Sequence, residues 1–398
     1  MKRIMGRISA GIAAAMIVSA QAVIGCGDST GDPSSNGDAS TSETGADPVL
    51  GGTWQYLYSG EKFDFPNSSP GLDVRGGLAH FVYTRKAGAP GYVLVDGAGR
   101  KTEIPFPSIA KGLARVVTAA DGASDVLVVD PQSGLVAAFR KAAGATTMTA
   151  APSPDSKMHR SSIAFDVTSH AGGTVLASQT SSGAEIGARV ERLGPEGWSE
   201  IGYFGGGPTL GRIRIASDGT TLAMVTLTGG GQRTVRVLRS GAWTELTGLP
   251  VTGAVGILEL VVEGPNVYLL EYGESNTSTL WKHDGTGWIA WARSAADECL
   301  HGLVLHKGAL YSFYGDPPNR RPITRGIARL DKDKIERVPL LSQSSNPSAV
   351  LNIDPDSRHD VMNYETHEMV SRDGRLWLAY EEGLTGGSTI RLYVLSER

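Results

Sequence analysis

Residues 257–291, ILELVVEGPNVYLLEYGESNTSTLWKHDGTGWIAW, contain four short apolar runs separated by turn sequences. The turns are Gly264-Pro265-Asn266 and Asp284-Gly285-Thr286-Gly287 at two of the boundaries. The apolar runs are too short for helices and rich in residues that favour strands. The stretch therefore predicts one four-stranded sheet, with strands at Leu258–Val262, Val267–Tyr272, Thr279–His283 and Trp288–Trp291.

A tryptophan that follows a glycine recurs at a fixed spacing. Trp198, Trp243 and Trp288 lie 45 residues apart, and each follows a glycine by one or two positions. This is the period of a repeated four-stranded blade, so the chain is predicted to form an all-β propeller. Similar strand and turn patterns occupy residues 162–203, 212–246 and 303–340, and weaker copies occupy 72–106 and 113–149. Because they repeat at one blade position, we expect these tryptophans to pack between adjacent sheets.

The last copy predicts how the ring closes. Met369–Ser371, Leu376–Tyr380 and Ile390–Leu395 supply three strands, and Trp54–Tyr58 supplies the fourth because Gly52-Thr53-Trp54 matches the other outer strands. Both ends of residues 51–398 would then share one blade, which removes the exposed sheet edges of an open ring. We predict seven blades. Six remain an alternative, since the copy at 113–149 is short.

The first residues have the order of a secretory signal. Three bases precede the apolar run Ile8–Ala20, and Val23-Ile24-Gly25-Cys26 follows. The end of this stretch resembles the lipobox of bacterial lipoproteins, in which the cysteine becomes the lipidated N-terminus. The resemblance implies a signal peptide over residues 1–25, an acylated Cys26 and a lipid anchor in the cell envelope, with the leaflet left open. A plain secretory peptide cleaved after Ala20 or Ala22 is the alternative.

A polar segment separates this signal from the folded part. Residues 27–50 are mostly Gly, Ser, Thr, Asp and Pro and include five acids and no base. Such a composition cannot bury enough apolar surface to fold, so residues 26–50 are expected to be a lipidated cysteine followed by a solvated tether. The net charge is −4 overall; the signal contributes +3 and the tether −5, which leaves about −2 on residues 51–398.

Composition and motifs exclude several functional classes. No basic stripe with interleaved aromatic residues is present, so no nucleic-acid partner is expected. The sequence contains no phosphate-binding loop, dinucleotide fingerprint or zinc-protease motif, and no cofactor is predicted. Acylation of Cys26 would leave Cys299 as a single thiol, so no disulfide framework is expected.

Three connections between blades carry the polar residues that favour a binding site. They lead into the third, sixth and seventh blades, and rigid scaffolds commonly present binding residues on such loops. We therefore expect a site at one mouth of the central channel. Its candidate residues are His159, Arg160, His301, Arg358, His359, Asp360, Tyr364, Glu365 and His367.

Other interpretations of these residues stay open. They include strand caps without a functional role, a divalent-metal site at His359 and His367 whose spacing fits no known motif, and a Cys299–His301 nucleophile pair. Trp281, Trp291 and Trp377 lie outside the repeat position and are better candidates for surface roles than the repeated tryptophans, although core positions are expected.

The turn before each outer-strand tryptophan is similar to that of kelch-like blades, and the propeller class also includes sialidases. A sialidase-like site implies roles for Asp360, Tyr364, Glu365, Arg358 and Arg160. The repeated Ser-x-Asp-x-Gly-x-x-Trp box of sialidases is absent, since Ser371–Trp377 is one residue short. The leading expectation is a membrane-anchored, non-catalytic module that binds a protein or glycan. A glycoside-active envelope enzyme and an assembly scaffold are the alternatives.

Overall fold

The protein is a seven-bladed β-propeller. In a computed structural model, every regular element of the described residues is a β-strand, and the strands form seven four-stranded antiparallel sheets. No helix in this part of the chain is long and apolar enough to cross a membrane. The residues described are 52–59, 71–84, 89–107, 112–130, 132–154, 164–182, 185–207, 210–228, 231–252, 258–273, 277–296, 298–315, 324–339, 367–384 and 387–397.

Each blade uses four strands that are consecutive in the chain, except the blade that closes the ring. Blade 1 comprises β2 Gly71–Arg75, β3 Leu78–Thr84, β4 Pro90–Asp96 and β5 Lys101–Glu103. Blade 2 comprises β6 Leu113–Thr118, β7 Ser124–Val129, β8 Val136–Lys141 and β9 Thr149–Ala151. Blade 3 comprises β10 Phe165–His170, β11 Gly173–Ser182, β12 Glu185–Gly194 and β13 Gly197–Gly207. Blade 4 comprises β14 Leu210–Ser217, β15 Leu222–Thr228, β16 Arg233–Arg239 and β17 Ala242–Glu245. Blade 5 comprises β18 Leu258–Glu263, β19 Asn266–Tyr272, β20 Ser278–His283 and β21 Trp288–Arg293. Blade 6 comprises β22 Cys299–His306, β23 Ala309–Gly315, β24 Thr324–Asp331 and β25 Lys334–Pro339.

Blade 7 joins the two ends of the folded region, as predicted. It comprises β26 His367–Arg372, β27 Arg375–Leu384, β28 Gly387–Glu397 and β1 Gly52–Ser59, and β1 is the outer strand. β1 runs antiparallel to β28, with Trp54 opposite Leu395. The short copy at residues 113–149 forms a sheet of its own, so the ring has seven blades and not six.

The core lies between the blades. Seven apolar clusters fill the seven interfaces, and each draws buried residues from two neighbouring sheets. At the closing interface, for example, Trp377 of blade 7 packs in one cluster with Phe81 of blade 1, and both are fully buried. A propeller blade buries its two faces against its neighbours, so every blade has both faces buried only in the closed ring.

The repeated tryptophans lie in outer strands and join each blade to the one before it. Each indole N–H donates to a backbone carbonyl in or just after the outer strand of the preceding blade, which confirms the predicted packing role. The bonds run from Trp198 Nε1 to Pro152 O (2.7 Å), from Trp243 Nε1 to Ile201 O (2.7 Å) and from Trp288 Nε1 to Leu246 O (3.4 Å).

Candidate functional site

Charged side chains lie on the inner strands that surround the central channel. The inner strands β2, β6, β10, β14, β18, β22 and β26 contact one another around the ring. Asp166, Glu259 and Glu368 share one position, four residues before the end of their strands. Arg115 and Arg214 share another, three residues before the end of β6 and β14. Arg115, Arg214 and Asp166 lie near enough to Glu368 to act on its charge, and Arg214 lies 3.5 Å from Glu259, so one charge from each of five blades belongs to the same group.

Two of the acids also hold neighbouring blades together. A carboxylate on one inner strand accepts a hydrogen bond from a backbone N–H of the inner strand in the next blade, and a third acid, Asp73, does the same from a different position. A bond to a charged carboxylate, as at Asp166 and Asp73, is stronger than a neutral one. They run from Ile215 N to Asp166 Oδ2 (3.0 Å), from Leu72 N to Glu368 Oε2 (2.9 Å) and from Thr118 N to Asp73 Oδ2 (2.7 Å).

The two channel arginines have different surroundings. Arg214 Nε donates to the backbone carbonyl of Leu258 (3.2 Å), and its Nη2 lies 3.5 Å from Glu259 Oε1. Arg115 Nη1 donates to the carbonyl of its neighbour Ala114 (3.1 Å). The Arg115 guanidinium also lies 5.5 Å from the ring centre of Phe165, within the range of a cation–π contact. Both guanidinium groups are thus held in place by neighbouring groups.

Glu368 has an unusual protonation equilibrium. Its side chain is partly exposed to the channel, but protein surrounds it, and this burial raises the pKa of Glu368 to about 8. Positive Arg115 and Arg214 and the hydrogen bond from Leu72 N oppose the shift, whereas Asp166 adds to it. Glu368 is therefore mostly protonated and uncharged at neutral pH.

A small cavity opens beside these residues. It has a volume of about 40 Å³ and is lined by the beginnings of β6, β10 and β14, including Arg115, Arg212, Arg214 and Phe165. The connections between blades enter the ring at the beginnings of the inner strands. The cavity therefore lies at the mouth where the sequence predicts a site, although the residues that line it are different ones.

His301 is the predicted site residue whose side chain the structure describes. The sequence assigns it to a connection, but β22 begins at Cys299, four residues earlier than predicted, and His301 is part of the strand. It is 4% exposed and stacks on Phe313, with ring centres 5.4 Å apart. His367 begins β26. The other predicted residues, His159, Arg160, Arg358, His359, Asp360, Tyr364 and Glu365, lie outside the described residues.

Cys299 does not have the properties of a nucleophile. It is 1% exposed, packs against Tyr272, and burial raises the pKa of its thiol to about 12. A thiol with such a pKa is almost entirely protonated at neutral pH and hence unreactive. Within the described ranges, no group of three His, Cys, Asp or Glu side chains is arranged to hold a metal ion.

The tryptophans outside the repeat position are mainly buried. Trp281 is 4% exposed and donates its N–H to Glu271 Oε1 (2.7 Å), and Trp377 is fully buried. The expected core positions are therefore confirmed for these two, because both fill space between blades. Trp291 is partly buried and lies under the ammonium of Lys282, 4.3 Å from the ring centre.

Solved structures share this architecture at low sequence identity. Polysaccharide lyase Uly1 aligns with a TM-score of 0.54 and 11% identity, over 85% of this chain and 92% of that one. A catalytically inactive virginiamycin B lyase from Staphylococcus aureus with quinupristin aligns with a TM-score of 0.51 and 16% identity, over 85% and 98%. A prolyl endopeptidase aligns with a TM-score of 0.50 and 12% identity, over 82% of this chain and 50% of that one. At such identities the likeness establishes the fold alone.

No protein-family model matches the chain, and no curated protein matches it in sequence.

Proposed function

We propose that the propeller is a non-catalytic binding module that holds an acidic group of a glycan at the channel mouth. The observation that carries this proposal is the convergence of Arg115, Arg212 and Arg214 on one cavity. Arginine is the side chain best suited to a carboxylate, because its planar guanidinium donates two parallel hydrogen bonds. Phe165, in the same cavity, offers an apolar face beside the charges.

The size of the cavity limits which part of a ligand enters it. A volume of about 40 Å³ corresponds to roughly three water molecules, which is also the scale of one carboxylate group. A sugar ring is too large to enter. The acid group would therefore occupy the cavity while the rest of the glycan lies in the wider mouth outside it.

The protonation of Glu368 favours the binding of an anion in the cavity at neutral pH. The arginines of the cavity contribute three positive charges, and Asp166 and Glu259 oppose two of them. Because the pKa of Glu368 is raised to about 8, the third acid is mostly neutral at pH 7 and the group keeps a net positive charge. Affinity for an acidic glycan should consequently fall as the pH rises through about 8.

Calorimetric titration with matched oligosaccharides tests the proposal. A galacturonate oligosaccharide should bind, and a galactose oligosaccharide of the same length should not. Arg115→Gln and Arg212→Gln should each weaken binding about tenfold or more, the effect of one charge-assisted hydrogen bond. Arg293→Gln, which removes an exposed positive charge from the outer strand of blade 5, is the control and should bind like the wild type. Equal binding of the neutral sugar, or of a short acidic peptide, would refute an acidic-glycan site.

We also propose that acylated Cys26 anchors this module to a membrane of the cell envelope. The order of bases, apolar run and Gly25-Cys26 supports the anchor, and the polar tether that follows supports a domain held away from the bilayer. Cys26→Ser should move the protein from the membrane fraction to the soluble fraction, and mass spectrometry of the wild-type N-terminal peptide should find acyl chains. An unacylated peptide in membrane-bound wild type would contradict the anchor.

A glycoside-active enzyme is the second candidate, and Glu368 is the observation that favours it. A carboxylic acid that stays protonated near neutral pH is suited to donate a proton to a leaving group. Mass spectrometry of acidic oligosaccharides after incubation would detect cleavage products. In the enzyme case, Glu368→Gln, or the joint replacement of Asp360, Tyr364 and Glu365, should abolish them. In the binding case, the wild type should form none.

A further inference from the structure

A second, larger pocket lies between blades 1 and 2. It has a volume of about 600 Å³, within the range of small-molecule sites. Its walls include Gly76 and Gly122, which belong to the turns that follow the inner strands β2 and β6. These turns are at the opposite end of the ring from the arginine cavity. The pocket is therefore separate from the proposed glycan site.

Lys141 is the unusual residue of this pocket. It lines the wall and is only 2% exposed. Its ammonium donates one hydrogen bond, to the carbonyl of Ala142 at 3.3 Å, and no carboxylate of the described residues forms an ion pair with it. An ammonium has three N–H groups, so two are left for another acceptor. Burial accordingly lowers the pKa of Lys141.

The other charges of the pocket do not neutralise Lys141. Arg75 lines the rim, and its Nη2 donates to the carbonyl of Ala120 at 3.2 Å. Arg100 also lines the rim, but its charge is compensated by Asp96, since Nε and Oδ2 lie 2.7 Å apart. The pocket thus contains three cationic side chains and one anionic side chain, and it has a net positive charge.

His80 contributes a neutral polar group to the same wall. Burial, with a smaller effect from positive Lys141, lowers the pKa of His80 to about 3, so its ring is uncharged at neutral pH. His80 Nδ1 lies 2.7 Å from the hydroxyl of Tyr92, which lies 2.7 Å from the hydroxyl of Ser124. This chain of hydrogen bonds holds the imidazole in place between the two blades.

We propose that the pocket binds a small molecule carrying a phosphate or sulfate ester, with the oxyanion held by Lys141 and Arg75. A buried ammonium to which the described residues offer no counter-ion is unfavourable, and an oxyanion would supply both the opposite charge and further acceptors. Lysine acts as a point charge toward a tetrahedral oxyanion, and Arg75 reaches the same pocket from its rim. The remaining volume accommodates a group of the size of a sugar.

Calorimetric titration with a hexose phosphate, a hexose sulfate, the unsubstituted hexose and inorganic phosphate tests this site. At least one ester should bind, and the unsubstituted hexose should not. Lys141→Met keeps the apolar stem and removes the charge, and it should weaken ester binding about tenfold or more. Lys332→Met removes an exposed charge from a turn of blade 6 and should bind like the wild type. Tighter binding of an ester than of inorganic phosphate would identify the ester as the ligand class; equal binding would identify the free anion.

A second variant protects the test against misfolding. Arg75→Gln changes a rim residue that is exposed, so it should preserve the fold and still weaken ester binding severalfold. Acetylation of Lys141, followed by mass spectrometry, should slow when the ester is bound, whereas acetylation of Lys332 should not. The proposal is overturned if neither ester binds, if Lys141→Met and Arg75→Gln both bind the ester like the wild type, or if the unsubstituted hexose binds equally well.

Discussion

Replacing Glu368 with glutamine should change how the stability of the propeller depends on pH. The wild-type carboxyl has its pKa raised from 4.5 to about 8 by burial, so the folded protein keeps a proton in an interval where the unfolded chain has lost it. The folded state then binds more protons than the unfolded state, and the free energy of unfolding falls as the pH rises from about 5 to about 8. Glutamine does not titrate, and its carbonyl still accepts the hydrogen bond from Leu72 N.

The size of the effect follows from the pKa shift and from the position of the side chain. Each unit of pKa difference between the folded and unfolded states corresponds to about 1.4 kcal/mol in the free energy of unfolding. The full shift from 4.5 to about 8 would therefore change the free energy of unfolding by about 5 kcal/mol. Glu368 is partly exposed to the channel, where water screens the charge, and we expect about 2 kcal/mol. The free energy of unfolding of Glu368→Gln should therefore equal that of the wild type near pH 5 and exceed it by about 2 kcal/mol near pH 9.

Urea unfolding of the purified chain, followed by circular dichroism at pH values between 5 and 9, measures this difference. Glu196→Gln provides a control, because Glu196 is exposed in the turn before β13 and its replacement should leave the pH profile unchanged. A constant stability difference between Glu368→Gln and the wild type across this range would show that Glu368 does not titrate with a raised pKa, and the proposed pH dependence of glycan binding would fail with it.

Four further substitutions test the packing of the ring by urea unfolding. Trp243→Phe keeps a six-membered aromatic ring but removes the pyrrole part of the indole and its 2.7 Å bond to Ile201 O, so it should lower the free energy of unfolding by about 1 kcal/mol or more. Trp288→Phe removes the same atoms but a longer bond, 3.4 Å, and should cost less. An equal loss in the two variants would contradict the role of the bond. Glu271→Gln breaks a buried ion pair with Arg233 of the neighbouring blade, so it should lower the free energy of unfolding by about 3 kcal/mol. A decrease below about 1 kcal/mol would be inconsistent with a buried ion pair. Gly112→Ala would place a Cβ in collision with the backbone carbonyl of Val129, at a φ of +138°, and should cost more than about 2 kcal/mol. Near-wild-type stability would show that this backbone can shift.

The sequence predicts the ring because its signals repeat. Trp198, Trp243 and Trp288 recur at 45 residues, and the structure shows why: each reaches the outer strand of the preceding blade. The same mark at Gly52-Thr53-Trp54 predicts the closing strand, which pairs with β28 as expected. Strand boundaries are less regular, as at β22, because the pattern of apolar residues does not show where pairing begins.

The candidate sites are harder to predict because their residues follow the ordinary pattern of strands. Arg214 lies between two buried isoleucines, and Glu259 between two buried leucines, so each looks like the exposed face of a strand. The proximity of Arg214 to Glu259 depends on how the inner strands of neighbouring blades are aligned along the channel. The sequence alone does not define this alignment to within one residue. Lys141 is harder still, since nothing in its local sequence distinguishes a buried ammonium from an exposed one.

The repeat that builds the ring constrains the apolar positions of each inner strand, because these positions pack between blades. The other positions of the inner strands can therefore carry different residues in different blades. At the level of Asp166, Glu259 and Glu368, blades 1 and 6 carry Gly71 and Gly302 instead. A Cβ at Gly71 would come within 3.1 Å of the backbone of Arg115, so the glycine lets β6, which carries that arginine, approach blade 1 closely. The five charges thus lie on five of the seven inner strands, and the proposed acidic ligand would meet the arginines of blades 2 and 4. A symmetric ring of identical charges would repel itself and offer no preferred orientation, so departure from the repeat makes selective binding at this mouth possible.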